Sequence, residues 1–292
     1  MPPRLLAPAA LMFNAFIFGL SWWPFRQLQV LGLHPMWTTL LTYLLVIVLL
    51  VLHQPSGWRG FLKHPGLLLL MVAAGMANVG FNWAVTVGDV VRAVLLFYLM
   101  PAWAVLLAWP LLGEKPTGAS LFRLGLALLG LAVVLKTPGS SWPVPHSAAD
   151  WLALMGGFCF ALTNVMLRKL EAAPNSARML AMFGGGALMS GNAAWLGMNL
   201  GLVSSPPLWA LPWVLGVVAM SLVLLVANFA LQYGATRLSS STTSIIMLSE
   251  VVFATVSSVL LGAGELSLRT WVGGALILLA SILAVFSFGK NR

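Results

Sequence analysis

Long uninterrupted apolar runs, separated by short stretches rich in Pro, Gly, Ser and isolated charges, set the pattern of this chain. A helix needs about 20 apolar residues to cross the hydrocarbon of a bilayer. By that measure the runs predict spans at 6–25, 37–52, 66–87, 91–112, 119–136, 150–168, 178–200, 208–233, 239–262 and 268–288. The expectation is an all-α membrane protein of ten transmembrane helices. The longest connections, Gln54–Pro65, Thr137–Ala149 and Leu170–Ala177, are too short to hold a soluble domain.

Composition sharpens this picture. Apolar residues make up 60% of the chain and charged residues only 7%. A soluble domain carries roughly a quarter charged residues, so lipid is the solvent that suits this surface. The formal net charge of +9 is spread over basic residues standing singly at the ends of apolar runs. No basic stripe with interleaved aromatics exists, which excludes a nucleic-acid partner. The charge reads instead as topology. With ten spans, 11 basic residues fall on the side of the termini and 4 (Arg26, Arg92, Lys136 and Arg269) on the other. Both termini are therefore expected in the cytoplasm. Trp22, Trp37, Trp151, Trp209, Trp213 and Trp271 stand near span ends, where amphipathic rings prefer the headgroup level. The single cysteine, Cys159, sits in an apolar run, so no disulfide forms within one chain.

The chain also repeats itself. Ala15-Phe16-Ile17-Phe18-Gly19-Leu20-Ser21 resembles Gly157-Phe158-Cys159-Phe160-Ala161-Leu162-Thr163, and Ala77-Asn78 through Trp83-Ala84 parallels Ala227-Asn228 through Tyr233-Gly234. Leu111-Leu112-Gly113-Glu114 matches Leu260-Leu261-Gly262, with Ala263-Gly264 inserted before Glu265. The matches are colinear, so span one has a partner in span six, and the first span is expected to stay in the fold rather than be cleaved as a signal peptide. Each copy holds five spans, residues 1–140 and 141–292. An odd number places the second copy upside down in the membrane, giving two inverted five-helix repeats around a central cavity, the architecture of secondary transporters.

Five plus five spans, with a Gly-Glu signature after the fourth, resemble the drug/metabolite transporter superfamily, EamA type, over essentially the whole chain. Asn14-Ala15-Phe16, Ser21-Trp22-Trp23 and the stretch Asn78 to Trp83 further resemble the YddG-like aromatic amino acid exporters of bacterial inner membranes. That resemblance implies a ten-helix bundle in the inner membrane, a central cavity, and export of amino acids from the cytoplasm.

Polar side chains inside a span are costly and face the bundle interior. Asn78 and Asn82 share one helix face, as do Asn228 and Gln232 in the second copy. An amide both donates and accepts, so these pairs either line a midplane site for a zwitterion or tie helices together. Glu250 lies mid-span with no basic residue nearby in sequence, suited to a substrate ammonium or a proton. Pro101 occupies the matching place in the first copy and frees a backbone carbonyl there. Trp83, Tyr98, Trp103 and Tyr233 lie deeper than the interfacial belt and are suited to packing or to stacking on a flat substrate. Trp22 and Asn164 occupy matching places in spans one and six and complete the candidates.

The remaining chemistry narrows the function. His34, His53, His64 and His146 all fall in loops or at span ends without ligand spacing, and no catalytic constellation, metal motif or cofactor motif appears. Spans three, eight and nine carry no Lys or Arg, which argues against a phosphate-bearing substrate in the cavity. No charged ring or carbonyl filter points to a channel. The expectation is a secondary transporter exporting aromatic and other neutral amino acids by alternating access. The alternative is a drug or quaternary-ammonium efflux carrier, which Glu250 and an aromatic lining would also suit.

Overall fold

The computed structural model describes residues 3–88, 90–135, 145–262 and 268–288. Asp89, Lys136, Glu265, Lys290 and Arg292 lie outside the described residues, as do the side chains of Arg4, Arg92 and Arg269. Helices α1 (Pro3–Leu20), α2 (Trp22–Val30), α3 (Pro35–His53), α4 (Ser56–Lys63), α5 (Gly66–Val87), α6 (Val90–Phe97) and α7 (Met100–Leu112) follow in order. Then come α8 (Gly118–Leu135), α9 (Ala148–Lys169), α10 (Asn175–Asn199), α11 (Leu211–Ala235), α12 (Ser240–Met247), α13 (Ser249–Leu260) and α14 (Leu268–Phe288). No strand occurs among the described residues.

Among the described residues, six stretches are long and apolar enough to cross a bilayer: Leu5–Val30, Pro35–His53, Gly66–Ala84, Ala148–Lys169, Leu211–Ala235 and Ser240–Leu260. Their outward faces stay apolar. Leu68, Leu69 and Val72 on α5 and Leu222, Val223 and Val226 on α11 are each at least 45% exposed, a surface only lipid solvates well. Helix α10 falls outside this set because its glycines, asparagines, serines and Arg178 lower its hydropathy; it packs on α3, α4 and α5, while Leu188, Trp195 and Leu196 stay exposed.

Three expected spans are interrupted rather than continuous. The first breaks at Ser21, whose hydroxyl donates to the Phe18 carbonyl at 2.6 Å. The fourth breaks at Tyr98 and Leu99, because Pro101 has no N–H to give the Phe97 carbonyl. That freed carbonyl packs onto Gly157 of α9, where a Cβ would stand 2.3 Å from it. The ninth breaks at Leu248 without a proline: the Ser249 hydroxyl donates to the Ile246 carbonyl at 2.6 Å and competes with the helix ladder. The segment 54–65, expected as a plain connection, contains α4. Its Gly57 and Gly60 lie against Ser176, Pro174 and Ala177 at the start of α10.

Pairwise contacts fix the helix directions. Gly66 meets Leu170 and Gly80 meets Gly156, so α5 and α9 are antiparallel. Gly75 meets Gly185, and Gly197 meets Trp83, so α5 and α10 are parallel. Gly186 rests on Tyr43 and Gly191 on Leu40, making α3 antiparallel to α10. Arg178 reaches Gln232 and Met182 reaches Asn228, making α11 antiparallel to α10. Gly234 meets Ala7, and the Asn14 side chain donates to the Ala227 carbonyl at 2.8 Å, so α1 is antiparallel to α11. Hence α1, α5 and α10 run one way, and α3, α9 and α11 the other. The starts of the first set and the ends of the second share one end of the bundle. Arg168, Lys169, Arg178 and Arg237 collect there, and it is called the basic end below.

Candidate functional site

The two mid-span breaks approach each other. Tyr98, at the α6–α7 break, is 7% exposed, and its hydroxyl lies within hydrogen-bonding reach of the Glu250 carboxylate in the first turn of α13. Ser240 opens α12 and Glu250 lies ten residues on, about 15 Å at the rise of a helix. That is roughly half the hydrocarbon thickness. Tyr98 lies a comparable distance from the start of α6 at the other end. Glu250 is half-buried, and no basic side chain is recorded as its ion-pair partner among the described residues. Ser249 does not serve it, since that hydroxyl is committed to Ile246. A carboxylate in apolar surroundings without a fixed cation is the arrangement that would receive a ligand ammonium or a proton.

Aromatic side chains frame this pair. Phe97 meets Tyr98 edge-on, with ring centroids 5.6 Å apart, and also contacts Phe81 and Phe160. Trp103 stands T-shaped on Phe158 at 5.7 Å, and its indole N–H is buried without a hydrogen-bond partner among the described residues. Trp103 packs against the large apolar cluster that includes Tyr98, Met247, Leu248 and Val251; Tyr233 packs against the same cluster toward the basic end. Trp83 does not: it packs in a separate cluster with Met36, Ala193 and Ala194, away from its repeat counterpart Tyr233. The Tyr233 ring is covered by the Arg237 guanidinium at 3.8 Å.

The amide pairs have separate partners. Asn78 accepts from the Tyr43 hydroxyl at 3.1 Å and donates to the Ala74 carbonyl at 2.9 Å, tying α3 to α5. Asn82 is half-buried one turn further on. Asn228 and Gln232 are 5% and 1% exposed and belong to a relay, not an open lining. Gln232 donates to Asn228 Oδ1 at 3.1 Å and accepts from Arg178 Nε at 2.9 Å. Arg178 also donates to the Leu170 carbonyl and to Asn175. Trp22 donates to Ser257 Oγ at 2.9 Å and so joins α2 to α13. Its counterpart Asn164 is 1% exposed, and both amide atoms lack a hydrogen-bond partner among the described residues.

Tyr43 and Arg178 escaped the sequence reading. Arg178 was legible only as a topology charge, and nothing local marks it as the partner of an amide 54 residues away. Replacing Arg178 with Met would strand the Gln232, Leu170 and Asn175 acceptors, at a cost of about 2 kcal/mol or more. The expected result is a clear fall in the thermal midpoint of the detergent-purified protein. An unchanged midpoint would show that the relay adds no stability.

A bundle of long lipid-facing helices, interrupted at mid-depth and built from a duplicated unit, defines a helical membrane protein of the transporter class. The chain belongs to the EamA-like transporter family, whose model matches residues 5–136 and again 147–286. It is thus a transporter of the drug/metabolite superfamily. It is 25% identical over 260 residues to an uncharacterized transporter, PA0485, of Pseudomonas aeruginosa, covering 84% of this chain and 80% of that one. A solved crystal structure of a protein 17% identical superposes with a TM-score of 0.76 over 98% of both chains, a likeness of fold alone.

Proposed function

We propose that this chain is a ten-crossing secondary transporter that exports aromatic and other neutral amino acids across a bacterial inner membrane by alternating access. Its halves are 1–140 and 141–292, inverted about a central site, with both termini in the cytoplasm. The inversion is supported by the directions of repeat counterparts: α1 opposes α9, α3 opposes α10, and α5 opposes α11. The orientation is supported by the basic residues collected at one end. Interrupted helices from opposite halves meeting near the midplane are where such carriers place their substrate.

The observation that carries the reading is the Tyr98–Glu250 pair at facing breaks, with aromatic rings beside it. The carboxylate would take the substrate ammonium and the rings its flat side chain. The same carboxylate, with no basic partner among the described residues, also favours a second reading, efflux of drugs or quaternary ammonium compounds.

The deciding measurement is uptake into liposomes by the purified protein. Labelled phenylalanine, tryptophan, threonine and a cationic dye are each tested with and without a pH gradient. The expected result is saturable movement of phenylalanine and tryptophan. Movement of the dye alone would replace the amino acid reading with the efflux reading.

A further inference from the structure

A pocket of about 400 Å³ opens at the basic end, away from the Tyr98–Glu250 pair. Lys115, Arg123, Arg168 and Arg237 line it, against one carboxylate, Glu114. Most of these charges are already engaged. Glu114 accepts from the Ser240 amide at the start of α12 at 3.1 Å, with Arg168 4.0 Å away. Burial pushes the Glu114 carboxyl above its usual range, and the Ser240 amide and Arg168 draw it partly back. Arg168 donates to Glu171 at 2.9 Å and to the Thr236 carbonyl. Arg237 donates to the Tyr233 carbonyl at 3.0 Å and lies over the Tyr233 ring.

Arg123 is different. It is 8% exposed, and its Nε is buried without a hydrogen-bond partner among the described residues. No carboxylate forms an ion pair with it among the described residues. The Ser241 hydroxyl, lining the same pocket from α12, is likewise buried and unpartnered. A guanidinium stays charged under all ordinary conditions, and leaving its buried Nε–H unsatisfied costs about 1–3 kcal/mol. Arg123 and Ser241 thus line one cavity with excess positive charge, and each carries a buried donor without a partner among the described residues.

We infer that this pocket is an oxyanion-binding site, in which the Arg123 guanidinium and the Ser241 hydroxyl hold a carboxylate or phosphate group. A volume of about 400 Å³ is several times that of the anion alone, so the bound group belongs to a larger small molecule or to a lipid headgroup. The site stands apart from the transport reading: it lies about 15 Å from Glu250 along α12 and requires only binding.

The test uses the full chain purified in neutral detergent. Its thermal midpoint is measured against added inorganic phosphate or acetate, with chloride held as the ionic-strength control. Phosphate is expected to raise the wild-type midpoint. In Arg123→Gln the half-saturating concentration should rise roughly tenfold or more, the loss of one charge-assisted contact. Without added anion that variant should be at least as stable as the wild type, because an unsatisfied buried donor is gone. Ser241→Ala should weaken the response about threefold and carries the test if Arg123→Gln fails to fold. A second arm compares nanodiscs of phosphatidylglycerol and phosphatidylcholine. Loss of the phosphate response in phosphatidylglycerol alone identifies the lipid headgroup as the anion, and persistence in both identifies a soluble one. Equal stabilisation of wild type and both variants would overturn the inference. So would the absence of any response to phosphate, acetate or phosphatidylglycerol.

Discussion

Substituting Glu250 by glutamine is expected to raise the KM for a transported amino acid by about 10–100-fold, the loss of one hydrogen bond to a charged group worth roughly 1.5–3 kcal/mol. Glutamine keeps the size and one acceptor oxygen, so helix α13 and its packing should persist and the purified yield should match the wild type. What disappears is the formal charge at the α12–α13 break. Tyr98→Phe should have a smaller effect, about 3–10-fold, because it removes only a neutral hydroxyl beside the carboxylate. The measurement is initial uptake into liposomes over a range of substrate concentrations at fixed protein density. Unchanged kinetics in Glu250→Gln would remove the carboxylate from the substrate path. A rise in KM for the cationic dye, with no effect on phenylalanine, would shift the assignment to cation efflux.

Gly185→Ala is expected to lower the thermal midpoint by about 5 °C or more, from a destabilisation of roughly 3 kcal/mol. The added Cβ would stand 1.9 Å from the Met71 carbonyl oxygen, and Gly75 of α5 approaches the Gly185 carbonyl from the same seam. The obstacle is the Met71 backbone, so no rotamer change relieves it. The two helices must move apart, and the packing on each side loosens with them. Gly125→Ala on α8 is the control: nothing lies within 4 Å of its Cβ position, and alanine is the better helix former. That variant should match or exceed the wild type. If Gly185→Ala melted with Gly125→Ala, close glycine contact would not be what holds α5 against α10.

Much of the architecture was legible in the residues themselves. The apolar run 66–87 coincides with α5, and the runs at 37–52, 119–136 and 268–288 lie within a residue or two of α3, α8 and α14. The duplicated motifs around Asn78 and Asn228 fall on α5 and α11, each of which packs against the first helix of the other copy. Of the candidate site, Tyr98 and Glu250 were both visible as polar groups in apolar runs. Their pairing was not, because 152 positions separate them in the chain.

The sequence by itself determined that this chain lives in lipid, where most of its long apolar helices lie, and that one unit occurs twice. Those properties follow from local composition measured against a fixed hydrocarbon thickness, and they need no knowledge of neighbours. Only the tertiary structure decided which polar side chains satisfy one another. It gave Asn78 to Tyr43 and Gln232 to Arg178, and left the Arg123 Nε without a partner among the described residues. It also set the breaks at Ser21 and Leu248, where a serine hydroxyl takes a carbonyl from the ladder in a sequence that otherwise reads as continuous helix. In a medium without water a buried polar group bonds to its own helix or to a neighbour, and which neighbour comes near is a property of packing rather than of any local stretch of chain.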